Sequence, residues 1–446
     1  MLKKNEKHRV AIEGLTGLGS GFTKINGMTV FVENAVPGDI VELLIVKVKK
    51  TYAYGKITEI IVPSSDREVP RCPVQHQCGG CSLMQVAYSS QIYHKQKQIV
   101  DALVLGGGYE RRGIEALIEP TAALEIPYHY RNKVVFPVRE VEGAIKVGFF
   151  KKNSHIPVDF YDCHIQQSGN KDLIDAIIKG MKTHGISAYN EDTHTGLIRG
   201  IFIREGHVSG ERMVALIVNS KNFVPKPEFL EGIEAAENIL INYNTKKDNT
   251  LLSHEFKVVK GRDYIEDTIG ETKFQIALNA FYQINGPLCA QAYEEILSLC
   301  ELTGEETVLD AYCGIGTIAL YVAKQAKAVY GIEVVPEAIV NATANAQLNG
   351  ITNAQFTQGL AEEKIKDYPH MDVAILDPPR KGVDPAVIET LRQMKPKKLI
   401  YLSCNPLTLA RDLKLLKDMY QLKTVKGYDF FAHSAHVETL VSLERI

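Results

Sequence analysis

The stretch TVLDAYCGIGTIALYVAK, residues 307–324, constrains the fold more than any other part of the chain. It reads as a buried strand, a glycine-rich turn and a helix, because a short apolar run stops at Asp310 and a helical spacing of apolar residues begins after Gly314 and Gly316. Three further apolar runs, AVYGIEVV, VAILDPPRKGV and LIYLSCNP, follow with helical stretches between them. Alternating strand and helix predicts a doubly wound, Rossmann-like α/β sheet of parallel strands over residues 269–446, with ligands bound where the strands end. Thr317 can open the helix after the turn, and Glu333 closes the second strand 23 residues past Asp310, where an acid can accept both ribose hydroxyls of a nucleoside. A dinucleotide site would want a third spaced glycine, but Leu320 stands there. The short acidic loop suits a cofactor without pyrophosphate, such as S-adenosylmethionine.

The chain has 446 residues, more than one core usually organises, so several domains are expected. Residues 9–62 alternate apolar and polar between turn residues such as Pro37-Gly38-Asp39, the pattern of a small antiparallel barrel over 1–62. Residues 63–268 form a mixed, β-rich central region, with strands in NKVVFPVRE, IKVGFF and ERMVALIVNS. A net charge of −2 gives no global attraction for nucleic acid, so any such surface must be local. Two stretches qualify. Lys47, Lys49, Lys50 and Lys56 flank Tyr52 and Tyr54, which suits phosphates plus stacked bases or else a solvated edge strand; the other is Tyr130-Arg131-Asn132-Lys133. The N-terminus lacks the apolar core of a signal peptide and no apolar run approaches the ~20 residues that span a bilayer, so a cytoplasmic protein without membrane contact is expected.

In that reducing compartment eight cysteines point to metal or catalytic chemistry rather than to disulfides. CPVQHQCGGC places Cys72, Cys78 and Cys81 as C-x5-C-x2-C, and Cys163 follows after a long gap. Four thiolates from a short loop and one distant strand end can enclose a zinc ion or a cubane iron-sulfur cluster, with Gly79 and Gly80 letting the loop wrap closely around sulfur. The five-residue gap departs from the spacing of zinc knuckles and favours iron-sulfur.

Asp377-Pro378-Pro379-Arg380 ends the third of the strands, and its two prolines make a stiff loop over the ligand crevice. The next strand ends in Ser403-Cys404. A thiol beside a methyl donor implies a target atom too poor to attack unaided, such as carbon 5 of a pyrimidine; thiolate addition to carbon 6 makes the ring an enolate that can take the methyl group. Asn405 is a good helix cap and Pro406 a good first helical residue, so Cys404 is expected at a helix N-terminus that favours its thiolate. The proton on carbon 5 must then leave, and Glu438, heading the strand of HVETLVSLERI, is the expected base. Cys313, inside the cofactor loop, and Cys289 and Cys300, on a helical pattern, read as packing residues.

These motifs together resemble the RNA uracil-5 methyltransferases, in particular the bacterial 23S rRNA branch that carries a four-iron four-sulfur (4Fe-4S) cluster. GLGSGF and VPGDIVE resemble the family's TRAM domain, an oligonucleotide-binding-like barrel. The resemblance implies cluster ligands at Cys72, Cys78, Cys81 and Cys163, cofactor contacts at Gln283, Tyr312, Glu333 and Asp377, the nucleophile at Cys404 and the base at Glu438. It also implies a monomer that methylates 23S rRNA in the cytoplasm. The chain departs from the family at ALNAFYQIN and at Ala432-His433-Ser434, which alter neighbours of the pocket rather than reacting groups. Uridine in the tRNA T-loop is the alternative substrate. A noncatalytic RNA-binding protein would be expected to have lost Cys404 or Glu438, and a redox enzyme would need an electron-acceptor site that no motif supplies.

Overall fold

The structure is a computed structural model and describes residues 2–446. The N-terminal region is a six-stranded sheet in the order Lys7–Ala11, Ile40–Val48, Tyr52–Val62, Met28–Val32, Gly21–Ile25, Gly14–Leu15. Period-two alternation drives it: Val30, Val32, Val41, Leu43, Ile45 and Ala53 are fully buried inside the curled sheet. Gly55 is required where its strand crosses Leu43, whose side chain lies 2.7 Å from the place a Cβ would take. Two expectations change. Met28–Val32 pairs parallel with Tyr52–Val62, so the sheet is not purely antiparallel. The Tyr52–Gly55 part of the Tyr52–Val62 strand is also paired on both sides, so Tyr52 and Tyr54 are not on an edge, whereas from Lys56 onward the strand pairs on one side only. The buried Asp39 carboxylate accepts from Val36 N at 2.7 Å, from Ser64 N at 3.0 Å and from Arg67, tying the Pro37-Gly38-Asp39 turn to the chain that leaves the barrel.

A second six-stranded sheet runs Phe256–Lys260, Asn238–Tyr243, Arg212–Val218, Ile198–Glu205, Lys133–Val141, Ala144–Val147. Its strands are antiparallel except for the Arg212–Val218 and Asn238–Tyr243 pair. The Asn170–Thr183 helix covers one face with Leu173, Ile174, Ile177 and Met181.

The C-terminal sheet has eight strands in the order Ala354–Gln358, Ala328–Glu333, Thr307–Asp310, Val373–Leu376, Lys398–Ser403, Glu438–Arg445, Tyr420–Tyr428, Ile118–Ala122. The first five are parallel; the inner Thr307–Asp310, Val373–Leu376 and Lys398–Ser403, covered on both faces, read as continuous apolar runs, whereas the edge strand Ala354–Gln358 is partly exposed. Glu438–Arg445 is antiparallel to both of its neighbours, so the expected parallel sheet is mixed. Its strand order reverses between Thr307–Asp310 and Val373–Leu376, which opens a crevice at their carboxyl ends.

The 63–268 region is not one body. The Tyr88–Leu105 helix buries Ile99, Ala102 and Leu103 in the same core as Leu409, Ala410 and Leu413 of the Pro406–Lys414 helix, and Ile118–Ala122 pairs parallel with Tyr420–Tyr428. Residues 88–122 thus extend the C-terminal sheet, because their apolar face finds its complement there rather than in the central sheet.

Candidate functional site

Four of the five parallel strands deliver one polar residue to the crevice as they end. Asp310 follows Leu309 and is 1% exposed; its Oδ1 accepts from Tyr312 N at 3.4 Å while Oδ2 has no partner. Burial, with the nearby Glu333 charge adding to it, pushes this carboxyl up to about 7. Gly314 and Gly316 adopt positive φ of 53° and 82°, and the turn they make lets Gly314 N donate to Glu333 Oε2 at 3.1 Å. Val335 N donates to Glu333 Oε1 at 2.9 Å, so both carboxylate oxygens are oriented by backbone and each keeps a free lone pair. Thr317 begins the helix as expected, but its hydroxyl meets the Tyr293 hydroxyl at 2.9 Å. Cys313 is buried beneath the turn, and Cys289 and Cys300 lie in the core, so all three pack.

Asp377 follows Val373–Leu376, and its carboxyl is pushed up to about 7 by burial and by Asp310. The stiff loop after it is tied to the next strand end: Arg380 O accepts from Asn405 Nδ2 at 3.2 Å and from Thr408 Oγ1 at 3.4 Å. Asn405 caps the Pro406–Lys414 helix by accepting from Leu407 N at 3.1 Å. Cys404 stands just before that cap. The register pairs Ser403 with Thr439, so Cys404 and Glu438 lie one step beyond the same rung, on adjacent strands. Glu438 is 3% exposed and its carboxyl is driven well above the usual range by burial and by Asp377, with Arg380 opposing.

One expectation about Cys404 is corrected by these neighbours. Its thiol is pushed up to about 11, first by burial and then by the charges of Glu438 and Asp377, which outweigh the opposing Arg380. In the ligand-free molecule the sulfur is therefore a thiol at neutral pH.

All of Gln283, Tyr312, Glu333, Asp377, Cys404 and Glu438 line one cavity of about 620 Å³. Gln283 arrives from a different element. Its backbone oxygen accepts from Asn132 Nδ2 at 2.9 Å, and Asn285, two residues on, caps the Gly286–Cys300 helix. The cavity also takes in Phe281, 65% exposed at its mouth, Phe431, and His436, whose Nε2 lies 3.5 Å from Arg380. Sequence reasoning passed over these three as functional side chains; the signal for His436 and Phe281 was their place two residues before Glu438 and Gln283.

A second cavity, of about 300 Å³, is lined by Cys72, Cys78, Cys81 and Cys163 together with Arg131 and Phe150. None of the four is in a disulfide. Gly80 N points at Cys78 Sγ, 3.4 Å away, and Gln75 Nε2 donates to Cys81 O at 3.1 Å. Burial raises each thiol, Cys163 to about 11. Four ionised sulfurs could coexist in this apolar pocket only around a positive centre. Among the described residues no group of three or more His, Cys, Asp or Glu side chains is arranged to hold a metal ion.

Residues 250–446 match the family model described as tRNA (Uracil-5-)-methyltransferase, and residues 2–58 match the TRAM domain. An RNA methyltransferase of Halalkalibacterium halodurans is 42% identical over 99% of this chain and 98% of its own length. RNA methyltransferases of Bacillus cereus and Clostridium acetobutylicum are 39% and 38% identical, each over 100% of this chain and 98% of its own length. The crystal structure of the Pyrococcus abyssi tRNA (uracil-54, C5)-methyltransferase in complex with S-adenosyl-L-homocysteine superposes with a TM-score of 0.79, at 24% identity, over 98% of this chain and 100% of that one; it shows a shared fold.

Proposed function

We propose, from the premise that this chain belongs to the family of uracil-5 RNA methyltransferases with a TRAM domain, that it methylates carbon 5 of specific uridines in 23S rRNA using S-adenosylmethionine. The observation that carries this reading is the convergence of Cys404 and Glu438, side by side on adjacent strands, on the cavity that also holds Asp310, Glu333, Asp377 and Gln283.

S-adenosylmethionine would supply an electrophilic methyl group on a positively charged sulfur. Glu333, its two oxygens fixed by backbone amides, presents its remaining lone pairs to a ribose diol, and Gln283 and Tyr312 close the walls around it. Cys404 Sγ, once deprotonated, attacks carbon 6 of the uracil, and the ring electrons move onto the carbonyl oxygen at carbon 4. Carbon 5 of the enolate would take the methyl group as the bond from methyl to sulfonium breaks, leaving the donor as a neutral thioether. Glu438 removes the remaining carbon 5 proton, the 5,6 double bond re-forms, and the bond from carbon 6 to sulfur breaks, returning the thiolate. A positive ligand among Asp310, Glu333, Asp377 and Glu438 would also favour ionised Cys404, because it offsets the charges that raise the thiol. The uracil must leave its stack to reach this depth, which favours loops over continuous duplex.

The cavity of Cys72, Cys78, Cys81 and Cys163 would hold a 4Fe-4S cluster, tying the 72–81 loop to the Cys163 segment and so shaping a surface for RNA. Anaerobically purified protein should be brown and hold roughly four irons; colourless protein with bound zinc would overturn the assignment. No helix among the described residues is long and apolar enough to cross a membrane. The name of the matching family model favours tRNA as a second reading. Mapping 5-methyluridine in 23S rRNA and tRNA from cells lacking the protein separates the two: loss from tRNA alone would overturn the rRNA assignment.

A further inference from the structure

The Tyr88–Leu105 helix carries an unusual face. Tyr88, Gln91 and Lys95 follow one another at the i, i+3, i+7 spacing that normally builds an apolar stripe, and Gln91 and Lys95 are 0% and 1% exposed. Further along the helix Ile99, Ala102 and Leu103 resume the apolar pattern. A buried polar stripe must be matched group by group, because unpaired polar groups and charges are strongly disfavoured away from water.

Every partner on the far side belongs to, or abuts, the segment that enters the Glu438 strand. The Lys95 ammonium pairs with Asp429 and donates to Phe431 O at 3.2 Å. Tyr88 Oη donates to the other Asp429 oxygen at 2.8 Å and accepts from Leu124 N at 3.3 Å. Gln91 Oε1 accepts from His433 N at 3.1 Å, while Leu83 N donates to His433 O at 2.9 Å. Tyr130 Oη donates to Ala432 O at 3.0 Å. His433 holds a φ of +64°, a left-handed conformation that a non-glycine residue keeps only where its surroundings impose it. From this clamped stretch the chain runs to His436 and Glu438 with no strand pairing of its own before Glu438, and Phe431 and His436 already face the reaction cavity.

We infer that Tyr88, Lys95 and Asp429 are positioning residues for proton removal: they fix the Asp429–His433 segment and thereby aim the Glu438 carboxylate at carbon 5 of the bound uracil. The inference rests on the proposed role of Glu438. An ion pair joined to a tyrosine specifies one geometry, whereas an apolar contact at the same place would tolerate several.

The test compares Lys95→Met, Asp429→Asn and Tyr88→Phe with Glu438→Gln in the full-length protein, using a folded 23S rRNA fragment and S-adenosylmethionine. The quantities read are kcat, KM for each substrate, the thermal melt, and the fraction of protein in a denaturation-resistant adduct with RNA. Misplaced carboxylate slows the step after methyl transfer, so Lys95→Met and Asp429→Asn should lower kcat by about tenfold or more, leave both KM values within about threefold, and raise the adduct fraction severalfold. Tyr88→Phe should do the same more weakly. If Glu438→Gln accumulates adduct while the other variants lose turnover with no more adduct than the unmodified protein, the clamp is merely structural and the inference fails, with the role of Glu438 intact. If Glu438→Gln itself accumulates none, the reading of Glu438 and the inference fall together. Should Lys95→Met lose its cooperative melt, Tyr88→Phe, which keeps the ion pair, decides by the same adduct readout.

Discussion

The strand-end cavity and the four-cysteine cavity collect their functional groups in opposite ways. In the first, Asp310, Glu333, Asp377, Cys404 and Glu438 are each the residue at or just beyond the end of a strand in one sheet, so the ladder that builds the core also sets their spacing. In the second, three of the four cysteines come from a loop with only an isolated bridge at Cys78, and the fourth from a segment outside any strand. A site drawn from one sheet is preorganised before any ligand arrives; a site drawn from loops depends on what it holds. Damage to the first should therefore remove chemistry and spare the fold, and damage to the second should do the reverse.

The largest effect expected from this contrast is at the sulfur of Cys404. Cys404→Ala should lower turnover by roughly 10⁴-fold or more, with neither product nor adduct, and with donor binding and melting temperature nearly unchanged. Glu438→Gln should cost about 10²–10⁴-fold, the usual worth of a general base, while adduct accumulates. Because the two residues act in sequence, the double variant should be no worse than Cys404→Ala. An active Cys404→Ala protein, assayed by methyl transfer to RNA, would remove the strand-end cavity from the chemistry altogether.

Cys163→Ala probes the other cavity. It should lower the melting temperature by several degrees and weaken RNA binding, yet leave S-adenosylmethionine affinity within about twofold, because nothing in the strand-end cavity is drawn from that loop. Calorimetry with and without the donor reads both quantities. Equal damage to donor binding would show that the two cavities are not independent.

Asp310 sharpens the contrast through pH. Its carboxyl titrates near 7 in the folded protein against an ordinary value of 3.8, so between those values the folded chain holds a proton that the unfolded chain has lost. Stability attached to this proton is complete below about pH 4 and disappears as pH rises through 7. Asp310 should thus account for a loss on the order of 2 kcal/mol between pH 5 and 8, beside that of Asp377, and Asp310→Asn should make that part of the profile shallower while impairing catalysis. A slope unchanged by the substitution would mean that the buried charge is compensated in solution. The smallest effect belongs to the barrel. Replacing Lys47, Lys49, Lys50 and Lys56 with Gln should weaken binding to an rRNA fragment by about tenfold at low salt and flatten the salt dependence, with no change in donor binding; an unaltered salt slope would place the phosphate contacts elsewhere.

The sequence made the strand-end residues legible because a parallel strand covered on both faces is an apolar run, and the polar residue that stops it is the one facing the crevice. Asp310, Glu333, Asp377 and Cys404 could each be picked out in that way, and the DPPR and SCNP loops marked which ends mattered. Two things were not legible. The state of the Cys404 thiol depends on Glu438 and Asp377 across the sheet, so reasoning from its own helix alone had the wrong sign. The polar stripe of Tyr88, Gln91 and Lys95 looks like an ordinary solvated face until its partners more than 300 positions away in the chain, Asp429 and His433, are seen against it. The same separation hid the transfer of residues 88–122 to the C-terminal sheet.

That transfer has a consequence for how the molecule is made. A ribosome adding roughly 5–20 residues per second completes Ile118–Ala122 about 15–60 s before it completes Tyr420–Tyr428, the strand beside it in the finished sheet. Throughout that interval the early strand, and the apolar side of the Tyr88–Leu105 helix with it, waits without its partner. The nascent chain is therefore exposed to aggregation and to chaperone capture at a place far from its growing end, and synonymous changes that slow translation between the two strands should lower the yield of soluble protein without altering a single residue.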